Sequence, residues 1–284
     1  MDKNILLSRM RKSYFFMIGV VGIIVIIIAC YFVPVFIEWD PAKNSLTDRF
    51  LPPEGFARGF EGHILGTDAL GRDVLSRLLI GGQFSFRLAF TVVFIQMSIG
   101  TVLGILSGYL GGWADVIIMR ACDAIMSMPT MILAIAVLAI LGPSTQNLML
   151  VMACTGWISL CKVTRNNVRV VKRQEFVLAS RDLGAKLPHI MFSQILPNVT
   201  TNIIIITSQR IGFLIVMEAS LSYLGFGIQP PDPSWGNMIS AGRQYLATHP
   251  WLILSPGFAL MLAVLSFNFL GDGIRDILDP KRKM

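Results

Sequence analysis

The chain has 284 residues, 54 % of them hydrophobic and 14 % charged, against about 25 % charged in an average soluble protein. So few charges cannot cover so much apolar surface in water, which excludes a cytosolic enzyme, a disordered chain or a coiled coil; lipid must be part of the solvent. The net charge of +7, from 24 Lys and Arg against 17 Asp and Glu, reads in such a chain as a cytoplasmic excess of basic residues rather than a nucleic-acid surface.

Uncharged runs place the spans. Residues 13–37 form a run of 25 between Lys12 and Glu38, longer than the ~20 residues that cross ~30 Å of hydrocarbon. With no small-residue cleavage site behind it, this run reads as a first span and not as a secretory leader. In the segment 38–87, Asp68, Arg72, Asp73 and Arg77 are spaced by four, one and four, so on a helix they would form i,i+4 pairs. That segment is expected to cap the pore or lie on the outer surface, with contact to a binding protein as the alternative. A second span, 88–114, carries Gly100, Gly104 and Gly108 on one helical face, where a neighbouring helix can come close. The 38 uncharged residues 124–161 are too long for one span and contain Gly142-Pro143-Ser144, so two helices are expected, at about 115–141 and 146–163. The fifth span, about 199–222, carries Arg210 and Glu218, and the sixth lies between Arg243 and Asp272. The Pro-rich stretch 228–236 between them reads as a rigid outer turn.

Six spans put both termini on one side. Lys3, Arg9, Arg11 and Lys12, then Lys162, Arg165, Arg169, Lys172, Arg173, Arg181 and Lys186, then Arg275, Lys281, Arg282 and Lys283 all share that side, which is therefore cytoplasmic. Cys30, Cys122, Cys154 and Cys161 lie in apolar stretches without a CxxC pair and read as small buried hydrophobes. His63, His189 and His249 are scattered among loops, so no metal site is expected. The 15 methionines read as packing, with a thioether-lined route for a soft metal as the alternative.

The cytoplasmic segment 174–198, QEFVLASRDLGAKLPHIMFSQILPN, is amphipathic. A short helix over 175–183 would end at Gly184, where a left-handed cap is needed; a second, over 186–196, would end at Pro197. Phe176, Val177, Leu183 and Leu187 would have no lipid to face there, which suggests a docking surface, or else a helix lying on the headgroups.

This segment resembles the EAA loop of ABC-importer permeases: EAA, three residues, Gly, nine residues, I-x-L-P. Here Leu178-Ala179-Ser180, Gly184 and Gln194-Ile195-Leu196-Pro197 fill those places, with Leu178 for the glutamate and Gln194 for the isoleucine. The stretch from His63 to Arg77 resembles the HxLGTDxxGRDxxSR pattern of dipeptide/oligopeptide/nickel permeases. Gly108-Tyr109-Leu110-Gly111-Gly112 with Asp115, Met119-Arg120 and Asp123 is similar to their next block, and Leu221–Gly225, Pro233–Gly236 and Phe267-Asn268 to Asp279-Pro280 also fit. The resemblance runs nearly the whole chain and points to the second of two paired permeases.

It implies an all-α polytopic membrane protein with six transmembrane helices and the type I ABC-importer permease fold. Residues 1–87 would form a cytoplasmic tail, a first span and an extracytoplasmic segment. Residues 88–284 would form a five-helix permease core containing the coupling loop 174–198. The expected partners are a different permease subunit, two cytosolic ABC ATPases and an extracytoplasmic binding protein. ATP and Mg would sit on the ATPases and no cofactor on this chain, which has no GxxxxGK[ST] loop. The resemblance assigns coupling to Glu175, Ala179, Ser180, Gly184, Ala185 and Pro197. Arg210 and Glu218 are candidates for the translocation path; Arg210 would face an acid of the companion permease or the carboxylate of a peptide or metal chelate. Peptides are the expected cargo, with nickel or a metal chelate as the alternative. A membrane enzyme would need a buried polar constellation richer than Arg210 and Glu218, and a passive scaffold would not need a docking loop.

Overall fold

In lipid every backbone N–H and C=O must be bonded within its own segment, so the apolar runs become helices. The computed structural model describes residues 10, 13–36, 40–55 and 62–278. Their long helices are α1 (Tyr14–Val35), α2 (Val74–Leu110), a pair α3 (Gly112–Met126) and α4 (Thr130–Leu141), and α5 (Thr145–Val171). A short α6 (Glu175–Asp182) follows, then α7 (Leu187–Tyr223), a short α8 (Trp235–Gly242) and α9 (Trp251–Leu278). Apart from one isolated bridge, Thr67 to Asp73, the described residues contain no strand.

The glycine face of α2 meets α5. A Cβ on Gly100 would lie 2.7 Å from that of Leu160, one on Gly104 2.6 Å from that of Thr164, and one on Gly108 2.8 Å from that of Val168. The paired numbers rise together, so α2 and α5 run parallel. The chain between them must return across the bundle, so α3 and α4, bent 81° at their break, make one crossing. Helix α7 runs against α2, pairing Arg210 with Gln96 and Glu218 with Ser85. Helix α9 runs against α1, with Gly19 beside Leu270 and Gly273 beside Phe16. Among the described residues this makes six crossings, with the bent pair counted as one. The start of α1, the end of α9 and α6 share one end; the 40–73 segment and α8 share the other. The main core lies between α2, α5, α7 and α9, and Trp235 of α8 closes it at the far end.

Several expected boundaries move. Helix α2 begins at Val74, not 88, because Asp73 caps it by accepting from the Ser76 N–H at 2.7 Å. At 1.5 Å per residue its 37 residues span about 55 Å, so its charged first turns stand clear of the hydrocarbon. The Asp68–Arg72 pair forms at 2.7 Å but in a turn before the helix, and Arg77 leaves Asp73 for the Pro41 carbonyl at 2.8 Å and Asp68 at 3.8 Å. Helix α5 continues to Val171, eight residues past the expected end, because Lys162, Arg165 and Arg169 find partners on neighbouring elements. Pro129 breaks the third crossing into α3 and α4. Pro197 ends no helix: α7 runs through it, with a π-helical stretch at Ile190–Ile195 immediately before. Pro34 in α1 likewise follows a π-helical stretch, Ile28–Phe32. A proline lacks the N–H that would bond four residues back, and its ring crowds that carbonyl; a wider turn just upstream accommodates both. Cys30, Cys122 and Cys161 are buried as expected, but Cys154 is exposed on the free side of α5.

The far end is tied into a cap. Ser45 N–H donates to Leu70 O, Leu51 N–H to Thr67 Oγ1 at 2.8 Å, and His63 lies 3.0 Å from Asp73. Gly71 has φ +73°, and a Cβ there would overlap the Ser45 carbonyl. The residues from His63 to Arg77 thus hold a folded plug against the start of α2. Within the 228–236 stretch, Ser234 caps α8 reciprocally with Asn237, a helix absent from the expected elements.

Candidate functional site

Two features stand out from the packed bundle. The first is the knob formed by α6 and the start of α7. Helix α6 ends in a left-handed turn at Gly184, φ +80°. Gly184 N–H donates to Arg181 O at 2.9 Å and Ala185 N–H to Ser180 O at 3.0 Å, the paired bonds of a Schellman cap. Val177, expected to be exposed, is 2 % exposed and packs with Val168, Ile190, Ile195 and Val199; it is the side chain that seats α6. Gln194 Nε2 donates to Ser180 Oγ at 2.6 Å and clasps the two arms together. Phe176, Leu178, Leu183, Leu187 and Phe192 stay exposed, Leu183 at 89 %. Glu175, Ala179, Gly184 and Pro197 are exposed as well, and Ser180 and Ala185 are half-buried. The loop therefore presents apolar side chains that its own fold does not cover. Sequence reasoning treated Gln194 as a departure from a motif; its spacing of fourteen from Ser180 signals a contact only once the two arms are known to fold back.

Next to the knob, Asp115 binds the start of α3 to the end of α5. It accepts from Arg165 Nε at 2.5 Å and Nη2 at 2.8 Å, from Arg169 Nη2 at 2.5 Å, and from Ser107 Oγ at 2.5 Å. Lys172 Nζ donates to Tyr109 O at 2.5 Å. Four of the basic residues at this end are therefore also struts between helices.

The second feature is a cavity of about 150 Å³ beside the break between α3 and α4. Arg210, near the middle of α7, lines it together with Gln96, Ser159 and Met126. Its Nε donates to Gln96 Oε1 at 2.6 Å and its Nη1 to Ser159 Oγ at 2.8 Å. Glu218 does not reach this cavity: it is 0 % exposed and accepts from Ser85 Oγ at 3.1 Å and Ser222 Oγ at 2.6 Å. Ser222 in turn lies under Gly227 and Gly236, with no room for a Cβ at either. The two charged residues of the fifth span thus have separate settings, one facing a cavity and one locked under the far-end loop.

A six-crossing helical bundle with an uncovered apolar knob at one end and a cationic cavity open at its side is built as a membrane transport subunit. The family model described as binding-protein-dependent transport system inner membrane component matches residues 100–284, and that of the N-terminal TM domain of oligopeptide transport permease C matches residues 5–53. The chain belongs to this family of ABC-importer inner-membrane permeases. It is 36 % identical to the dipeptide transport system permease protein DppC of Alkalihalophilus pseudofirmus, over 97 % of this chain and 89 % of that one. It is 43 % identical to the glutathione transport system permease protein GsiD of Pectobacterium atrosepticum, over 78 % and 73 %. To the oligopeptide transport system permease protein OppC of Bacillus subtilis it is 34 % identical, over 96 % and 88 %. Among solved structures, a chain of the inward-facing MetNI methionine ABC transporter superposes with TM-score 0.58 at 18 % identity, covering 71 % of this chain and 96 % of that one, a likeness of fold.

Proposed function

We propose that this permease forms half of the pore of a peptide importer, paired with a second, different permease and driven by two cytosolic ABC ATPases. An extracytoplasmic binding protein delivers the cargo. The ATPases hold ATP and Mg, and this chain holds no cofactor. The observation that carries the coupling role is the knob of α6 and α7, whose Phe176, Leu178, Leu183, Leu187 and Phe192 are uncovered. Such a surface fits an apolar groove on an ATPase, and a helix pair seated there passes rigid-body closure to the spans. In this reading Glu175, Ala179, Ser180, Gly184, Ala185 and Pro197 shape or line the docking surface. The knob end, where Arg165, Arg169, Lys172, Arg173, Arg181 and Lys186 gather, faces the cytoplasm, and both termini lie on that side. The names of the relatives, for dipeptides, oligopeptides and glutathione, favour peptides over nickel or a metal chelate. Arg210 belongs to the translocation path; the burial of Glu218 supports a role in holding the far-end loop instead.

Leu183→Asp tests the coupling surface. Leu183 is 89 % exposed, so the change costs the fold of this chain little. The expected result is normal insertion, loss of ATPase co-purification, and at least a tenfold drop in ATP-driven uptake. A variant that retains both ATPases and full uptake would remove the knob from the coupling path.

A further inference from the structure

We propose that the cavity beside the α3–α4 break is a carboxylate subsite, in which Arg210 holds the C-terminal carboxylate of a passing peptide against an apolar wall that includes Met126 and Phe213. The proposal rests on the peptide-importer reading above and specifies what part of the cargo this chain recognises.

The guanidinium is fixed in place by neutral groups. Gln96 accepts from its Nε and Ser159 from its Nη1, while Gln96 Nε2 is itself anchored on the Met152 carbonyl at 2.7 Å. Gly156 makes the arrangement possible: a Cβ there would lie 2.0 Å from Gln96 Nε2 and 2.7 Å from Arg210 Nη2. The one residue of α5 over which both side chains pass has no side chain of its own. Among the described residues no carboxylate pairs with Arg210, and its Nη2 has no acceptor. An unpaired arginine at the middle of a span is costly unless it faces a wet cavity or meets an anion. Here it faces a cavity, and its positive charge is oriented but not neutralised.

The walls fit a cargo that is constant at one end and variable at the other. Met126 and Phe213 line the cavity with Leu133, Thr130 and Thr155, and the buried Met152 and Met217 lie behind them. Methionine is unbranched and polarisable and adapts to differing shapes, whereas a guanidinium grips every free carboxylate in the same way. A volume of about 150 Å³ suits a carboxylate and a few waters of ~30 Å³ each, leaving the rest of the peptide in the pore. Because the Nε edge of Arg210 is already taken by Gln96, cargo meets only the Nη edge, and the hold stays weak enough for release.

The test uses the complete importer in proteoliposomes, with excess binding protein loaded with either trialanine or trialanine C-terminal amide. Uptake by each variant is divided by wild-type uptake of the same peptide, so the preference of the binding protein cancels. Arg210→Gln is expected to lower trialanine uptake about tenfold and uptake of the amide less than twofold. Gln96→Glu, nearly isosteric, would neutralise Arg210 from within and is expected to show the same selective loss; it decides the matter if Arg210→Gln fails to assemble. Equal losses for both peptides would mean that Arg210 serves a structural contact, such as an acid of the companion permease, and would overturn the subsite, as would unchanged uptake of both. Failure of the wild-type complex to carry either peptide would instead overturn the peptide reading on which the subsite stands.

Discussion

Gly184 supports the knob through its backbone alone. Nothing lies within 4 Å of where its Cβ would be, yet its φ is +80°, a region that costs an L-residue about 1–2 kcal/mol. Gly184→Ala should therefore loosen the turn without any clash. Its melting temperature is expected to change little while ATPase affinity falls severalfold, measured by titrating purified ATPase onto the permease complex. Unchanged affinity would mean that the left-handed turn is dispensable for docking. Glu218 is the converse case, a charged residue expected on the path whose carboxylate is fully buried and bonded to serines. Gln at this position keeps an oxygen for Ser85 or Ser222, and either hydroxyl can rotate to accept from the new amide. Glu218→Gln should thus leave uptake within twofold, whereas Glu218→Leu strands three serines, Ser85, Ser222 and Ser234, and should lower the yield of folded protein. A large uptake loss in a well-folded Glu218→Gln variant would return Glu218 to the transport path.

At the scale of elements, the contact between α2 and α5 depends on three glycines, and the start of α3 is held to the end of α5 by the Asp115 carboxylate. Gly104→Val would press into Thr164 and the Cys161 carbonyl, both within 2.7 Å of the new Cβ. Overpacking of this kind costs about 1–3 kcal/mol, and a drop in thermal stability by fluorescence-detected size exclusion is expected. Asp115→Asn leaves Arg165 and Arg169 without their anion. A hydrogen bond to a charged group contributes about 1.5–3 kcal/mol, so α3 should detach more readily from α5. Hydrogen exchange confined to the first turns of α3 would show this, and unchanged exchange there would argue against the strut. Because α3 leads into the break that borders the Arg210 cavity, this joint links the knob end to the interior through one continuous helix.

For the whole molecule, six crossings fix which segments share a side, and the proposal that the knob end is cytoplasmic rests on its excess of basic residues. In a cysteine-free background, Asn44→Cys and Asp232→Cys, both exposed at the far end, should react with an impermeant thiol reagent from outside sealed cells. Asp182→Cys in α6 should react only after the membrane is opened. Labelling of position 182 in sealed cells would invert the orientation. Ser234, though it lies in a far-end loop, is an unsuitable reporter, since it is fully buried and caps α8.

The sequence alone determined the lipid solvent, the number of crossings, the glycine face of α2 and the left-handed turn at Gly184. Each follows from local rules: an uncharged run is long enough to span, residues four apart share a helical face, and a helix ends in a left-handed turn where glycine permits it. What the sequence could not specify depends on contacts made across the chain. Charge-free length misplaced the ends of α2 and α5, because Asp73 caps one helix and the arginines of the other have partners on α3. Proline at 197 reads locally as a stop, but the π-helical stretch before it lets α7 continue, and Gln194 looks like a lapse in a motif until it is seen holding Ser180. Nor does the linear order show that Val177 faces inward, that Glu218 is sealed beneath the far-end loop, or that Gly156 clears the way for Gln96 to reach Arg210 across 114 positions. Those outcomes were decided by which helices pack side by side, and only the tertiary structure brings such distant residues within bonding distance.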